Sequence, residues 1–264
     1  MLEKFTVYIP PFSQERVVRV YLPMGYHEAK RQYPVLYMHD GQNVFEDHDA
    51  VGGASLGLRD FLDKCELDVI VVAIDGNPIK EDRVNEYCPW TGGEFSQMIT
   101  GQNSEFGGKG GAYIEFIVSE LKPLIDRSYR TIEYNTAMAG VSLGGLISTY
   151  AACRYPETFS KVAVLSSAFW RNQEEMEQLI KKSSLSGIEQ FYLDCGTSET
   201  NDEWINRKFF ESNQSIYELL GRKIENTRFE VVEGAEHHYS FFRKRVPDMM
   251  TFLFPDFRNI SGGF

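Results

Sequence analysis

Gly140-Val141-Ser142-Leu143-Gly144 decides how this chain is read. Gly-x-Ser-x-Gly, set between a buried strand and a helix, is the sharp turn that lifts a serine hydroxyl above a sheet. The pattern alone is common, so its flanks carry the argument. Residues 135–139, Asn-Thr-Ala-Met-Ala, are uncharged and apolar enough for a buried central strand, and residues 146–152, Leu-Ile-Ser-Thr-Tyr-Ala-Ala, read as a buried helix. Gly140 and Gly144 flank a turn whose close strand-helix approach leaves little room for a Cβ, and Gly145 keeps the helix start slim. The uncharged run over 134–153 has the length of a membrane span, but glycines in its middle and several hydroxyl side chains favour strand-turn-helix.

Outward from this turn, apolar runs alternate with longer amphipathic segments, the signature of strands wound with helices into a mostly parallel sheet. Residues 5–9 and 16–21, rich in β-branched and aromatic side chains and separated by Pro10-Pro11, predict antiparallel edge strands. Residues 34–38, 69–74, 162–165, 190–193 and 229–232 predict core strands beside 135–139. Helices are predicted over 56–65, 113–128, 145–154, 173–182, 204–222 and 241–254. The expectation is one α/β domain over 1–264, with a central, mostly parallel sheet of about eight strands flanked by helices. Residues 76–111 read as one long irregular region, of the kind that lies beside a site. Gly107-Gly108-Lys109-Gly110-Gly111 inside it lacks the first glycine and the Ser or Thr after lysine that a phosphate loop needs.

With 264 residues, 42% of them hydrophobic, the chain can bury a full core. Its net charge of -11 argues against nucleic acid or an anionic membrane as partner. The first residues, with Glu3 and Lys4 and no apolar run behind them, do not read as a secretory signal. Cys65, Cys88, Cys153 and Cys195 are widely spaced and fit reduced thiols, so a cytoplasmic location is expected, with no metal and no organic cofactor.

A serine hydroxyl is a poor nucleophile at neutral pH and needs a histidine to take its proton and a carboxylate to orient that histidine. In this architecture the order along the chain is serine, acid, histidine. His27, His39 and His48 precede Ser142, which leaves His237 and His238, in the loop after the last strand. The acid should leave the end of the strand over 190–193: Asp194, Glu199 and Asp202 are the candidates. Asp202 also has an ordinary reason to exist as a helix cap, and Glu199, beyond the Gly196-Thr197 turn, is best placed. The tetrahedral oxyanion needs two N–H donors. Leu143, first in the helix after the nucleophile, supplies one. The loop after Met38-His39-Asp40-Gly41 is expected to supply the other through Gln42.

Together these segments resemble the putative esterase family of α/β-hydrolases, which includes enterochelin-esterase-like trilactone hydrolases and carbohydrate and feruloyl acyl esterases. The resemblance runs through residues 36–45 (Leu-Tyr-Met-His-Asp-Gly-Gln-Asn-Val-Phe), Arg83 with Glu86-Tyr87-Cys88-Pro89-Trp90, residues 113–131, Gly140 to Gly145, Cys195-Gly196-Thr197 and Gly234-Ala235-Glu236-His237. It implies an α/β-hydrolase fold, Ser142 as nucleophile, His237 as base and the Gln42 N–H as oxyanion donor. Many relatives place aspartate where this chain has Glu199, so the carry-over here requires a longer side chain. Arg83 and Trp90 fall in the family's loop near the site, as substrate contacts or as an ion pair and a packing residue.

The expected function is a serine carboxylic-ester hydrolase that passes through an acyl-enzyme, acting on a small ester such as a siderophore trilactone or an acylated sugar. An anionic siderophore requires local positive charge, for which Arg83 and Lys109 are the candidates. An acyltransferase would use the same triad, and a non-catalytic binding protein on the same fold would be marked by a missing triad member.

Overall fold

The computed structural model describes residues 1–255. An eight-stranded sheet forms its centre, in the order β1-β2-β4-β3-β5-β6-β7-β8. The strands are β1 (Leu2–Ile9), β2 (Gln14–Tyr21), β3 (Tyr33–His39), β4 (Ile70–Ile74), β5 (Thr131–Val141), β6 (Lys161–Leu165), β7 (Gln190–Gly196) and β8 (Thr227–Val232). β1 and β2 run antiparallel to each other and β2 antiparallel to β4; the remaining pairs are parallel. This is the α/β-hydrolase arrangement.

Helices cover both faces, which is why the central strands read as unbroken apolar runs. Alternation nonetheless divides them: Val35 and Tyr37 join one core cluster, and Leu36 and Met38 join the one across the sheet. All of β4 is buried, while β8, at the edge, is only partly so.

The order also places the site. The chain lays β4 to one side of β3 and then returns to set β5 on the other, with Met38 beside Ala139 in the register. Loops leaving the carboxyl ends of β3 and β5 therefore diverge from one crevice, where open α/β sheets bind their ligands. Gln42 follows β3 and Ser142 follows β5.

The helix over Gln173–Lys182 forms as predicted; three other regions differ. Residues 76–111 contain helices over Lys80–Tyr87 and Glu94–Thr100. The first escapes an apolar-period reading because its inner face is partly charged: Glu86, 3% exposed, receives Arg16 at 2.6 Å and Asn77 at 2.7 Å. The helix predicted over 113–128 runs instead from Gly110 to Ser128, with a π-helical segment over Ile117–Leu121. Pro123 lacks the N–H for an α-helical bond to Ser119, and the widened turn accommodates its ring. The last predicted helix is broken into Tyr239–Arg243 and Val246–Leu253, with Arg245 turned inward between them.

The turn after β5 is as tight as its glycines imply. A Cβ on Gly140 would lie 2.2 Å from the carbonyl carbon of Gly144, and backbone on both sides leaves nothing to yield. Gly140→Ala is expected to cost about 3 kcal/mol and to lower Tm by roughly 10 °C in a thermal melt. An unchanged Tm would mean that strand and helix can part there.

Candidate active site

Ser142 sits between β5 and the helix over Leu143–Arg154, with φ 58° and ψ -117°. A non-glycine residue in this region is strained by about 1–3 kcal/mol and persists only where its surroundings over-determine it. They do so here. Its N–H donates to the Leu165 carbonyl at 3.0 Å, and its carbonyl accepts from Gly145 and Ala168, each at 3.0 Å. Its side chain opens onto two cavities, of about 420 and 490 Å³.

Of the two histidines and three carboxylates singled out in the sequence, the fold brings together His237 and Glu199. His237 Nδ1 lies 2.6 Å from Glu199 Oε2, and the Glu199 side chain is wholly buried. Glu199 Oε1 accepts the Gly196 N–H at 2.6 Å and the Ser166 hydroxyl at 2.5 Å. Burial pushes the Glu199 carboxyl up, but these bonds and His237 outweigh it and hold it below the usual glutamate range. Phe209 and Phe242 present their rings near edge-on to the imidazole, with centroids 5.7 and 5.2 Å away. His237 and Ser142 line both cavities.

The other candidates have different employment. Asp202 caps the helix over Glu203–Gly221, accepting from Trp204 N–H at 2.8 Å and Ile205 N–H at 3.0 Å. Asp194 is wholly buried and paired with Arg245 at 2.8 Å. His238 caps the helix over Tyr239–Arg243 through Ser240.

Leu143 occupies the first position of its helix, where N–H groups lack intrahelical acceptors. Gln42 lies in a 3-10 turn over Gly41–Asn43 and lines the cavity of about 420 Å³. That turn is braced from below. Asp40 has φ 56°, its N–H donates to the Tyr87 hydroxyl at 3.1 Å, and its carboxylate receives Arg83 Nε at 2.7 Å and Nη2 at 2.6 Å. Arg83 faces both cavities, but most of its hydrogen-bonding fork is spent on Asp40. Trp90 packs edge-on against Tyr150 at 5.6 Å and does not line either cavity at Ser142. Lys109 precedes the helix that starts at Gly110 and is likewise absent from both.

Besides Arg83, the cations that line the site are Lys80 and Arg171, which the sequence reading missed. Both line the larger cavity, whose walls include Val84, Ile99, Trp170, Ile205 and Phe209. Arg171 lies 5.1 Å over the Trp170 ring. The smaller cavity is more polar, with Asn43, Asn77 and Tyr239 on its walls, and the Tyr239 hydroxyl accepts from Asn43 at 3.1 Å. No periodicity marks the polar ones, since Lys80, Arg171, Asn43, Asn77 and Tyr239 each come from a short loop or a helix end.

Metal-ligating side chains gather, among the described residues, at Glu46, His48 and Asp49, away from both cavities. Their oxygens already serve Lys4, Arg19 and Arg59.

No helix among the described residues is long and apolar enough to cross a membrane. The chain is 26% identical to the uncharacterized protein YbbA of Bacillus subtilis over 242 residues, covering 89% of this chain and 91% of that one. An IroE-like serine hydrolase from Shewanella oneidensis superposes with a TM-score of 0.78 at 19% identity, over 97% of this chain and 81% of the other. The enterobactin esterase FES of Shigella flexneri, solved in the presence of enterobactin, superposes with a TM-score of 0.75 at 17% identity, over 97% of this chain and 59% of that chain. Residues 10–253 match the family described as Putative esterase, and the chain belongs to that family.

Proposed function

We propose that this chain is a serine carboxylic-ester hydrolase in which Ser142, His237 and Glu199 form the triad. The observation that carries the reading is the buried Glu199 carboxylate, 2.6 Å from His237 Nδ1, with His237 and the strained Ser142 turn facing the same cavities. Glu199 accepts the Nδ1–H hydrogen bond, which holds the proton on Nδ1 and leaves Nε2 bare. Ser142 Oγ attacks the ester carbonyl as its proton passes to His237 Nε2, and the Gln42 and Leu143 N–H groups receive the oxyanion. The imidazolium then protonates the leaving alcohol. Water, activated by the same histidine, releases the acid and restores Ser142.

For the substrate, a siderophore trilactone is the better of the two expected classes. Lys80 and Arg171 have no carboxylate partner among the described residues and flank an apolar, aromatic cavity, in a protein whose net charge is -11. Two such cations favour an ester bearing negative charge over a neutral acylated sugar. Enterobactin esterase FES, similar in fold, gives the class a precedent. The reading treats residues 1–264 as one domain acting in the cytoplasm on a small molecule, with no metal.

Fluorophosphonate labelling tests it. The expected result is one covalent adduct per chain, on the peptide carrying Ser142, with p-nitrophenyl butyrate hydrolysis lost in step with labelling. A catecholate trilactone should then be cleaved with a higher kcat/KM than an acetylated sugar. A folded protein that neither labels nor hydrolyses would make the fold a non-catalytic binder; the reverse substrate preference would transfer the reading to acylated sugars.

A further inference from the structure

Linked to the Glu199–His237 pair through one serine hydroxyl lies a second buried ion pair. Asp194, at the end of β7, is wholly buried, and Arg245 is 3% exposed. Arg245 Nη1 donates to Asp194 Oδ1 at 2.8 Å and to Ser166 Oγ at 2.7 Å. The Ser166 hydroxyl is 2.5 Å from Glu199 Oε1.

This chain of contacts has one direction. Guanidinium only donates, so Ser166 Oγ accepts from Arg245, and its own proton goes to Glu199. With the Gly196 N–H on the same oxygen at 2.6 Å, Glu199 Oε1 holds two donors, and Oε2 is left for His237. Arg245 reaches the imidazole by a second route as well. Its guanidinium lies 5.1 Å over the Phe242 ring, which meets the His237 ring at 87°.

The backbone is bent to bring these groups together. Ser166 has φ 42°, and its N–H donates to the Asp194 carbonyl at 3.0 Å and to Oδ1 at 3.2 Å. Arg245 faces inward because the last helix breaks in front of Val246. Packing alone does not explain such an arrangement, since a buried ion pair is a weak source of stability and apolar residues of similar volume commonly replace one without loss.

We propose that Arg245 is a positioning residue for His237, acting through Ser166. It fixes which oxygen of Glu199 accepts the Nδ1–H hydrogen bond and so holds the orientation of the imidazole that presents its bare Nε2 to the nucleophile. Asp194 neutralises the guanidinium, which otherwise would draw the Glu199 carboxylate away from His237. The proposal rests on the serine-hydrolase reading above.

The test uses the charge-neutral double variant Arg245→Met/Asp194→Asn and, separately, Ser166→Ala, which cuts the relay while leaving the ion pair intact. Measured on each are Tm, kcat and KM for p-nitrophenyl butyrate, and the low-field proton NMR signal of the Nδ1–H between His237 and Glu199. Both variants are expected to lose roughly 30-fold in kcat with KM within about threefold, and the low-field signal should shift or be lost to exchange. A double variant with kcat within about twofold of the wild type and an unmoved signal overturns the proposal. Should the double variant not fold, Ser166→Ala decides by the same two readouts. The NMR signal does not depend on turnover. An inactive wild type whose signal still answers to Ser166 would sink the esterase reading and leave the positioning role standing.

Discussion

Ser142→Gly is expected to abolish ester hydrolysis and, at the same time, to make the protein more stable. Loss of the nucleophile alone accounts for a fall in kcat of up to about 10⁶-fold, because the remaining triad members have nothing to activate. The stability gain has a separate origin. Ser142 is held at φ 58° and ψ -117°, where only glycine lacks a Cβ penalty. Glycine removes that strain and gives part of the gain back through the greater freedom of the unfolded chain, for a net of about 1 kcal/mol. Ser142→Ala removes the hydroxyl but keeps the Cβ. The two variants should therefore be equally inactive, with the glycine variant melting about 2–4 °C higher. Assays with p-nitrophenyl butyrate and paired thermal melts read both effects. Activity surviving in either variant would remove Ser142 from the mechanism, and coincident melting curves would mean that the turn stores no strain.

The legible parts of this fold are those that depend on burial. Central strands such as Ile70–Ile74 announce themselves by unbroken apolar runs, and the turn at Gly140 by a spacing that close packing demands. The chain order Ser142, Glu199, His237 follows from where β5, β7 and β8 end. What stays hidden is contact between polar groups. The helix over Lys80–Tyr87 is fastened by Arg83 on Asp40 and by Glu86 on Arg16, partners distant in sequence that no periodicity reveals. Lys80 and Arg171 stand beside Ser142 for the same reason, whereas Lys109 does not, although all three look alike in sequence. Asp194 and Glu199, both candidates in the sequence, are placed differently by the fold. Asp194 is still within β7 and is spent on Arg245, and Glu199, beyond the turn at Gly196, reaches back beneath the imidazole.

Glu199→Gln is the substitution that should separate orientation from charge at this site. The amide is nearly the same size as the carboxylate, so the fold is expected to persist. Its oxygen and nitrogen are not equivalent to the surroundings. The Oε1 position faces two donors, the Gly196 N–H and the Ser166 hydroxyl, the latter already polarised by Arg245. The amide oxygen must therefore occupy that position, which turns the amide nitrogen toward His237. An amide nitrogen donates and does not accept. His237 Nδ1 is then forced to accept, its proton moves to Nε2, and Nε2 carries a hydrogen where the proposed mechanism needs a lone pair. The expected loss is about 10⁴-fold in kcat, the scale known for a wrong tautomer in a serine triad, with KM nearly unchanged. Ser166→Ala combined with Glu199→Gln sharpens the test. The Gly196 N–H still requires an acceptor at that position, so the double variant should be no more active than Glu199→Gln; recovered activity would mean that Ser166 alone sets the orientation of the amide. Glu199→Gln with kcat within about tenfold of the wild type would show that His237 takes its orientation from elsewhere.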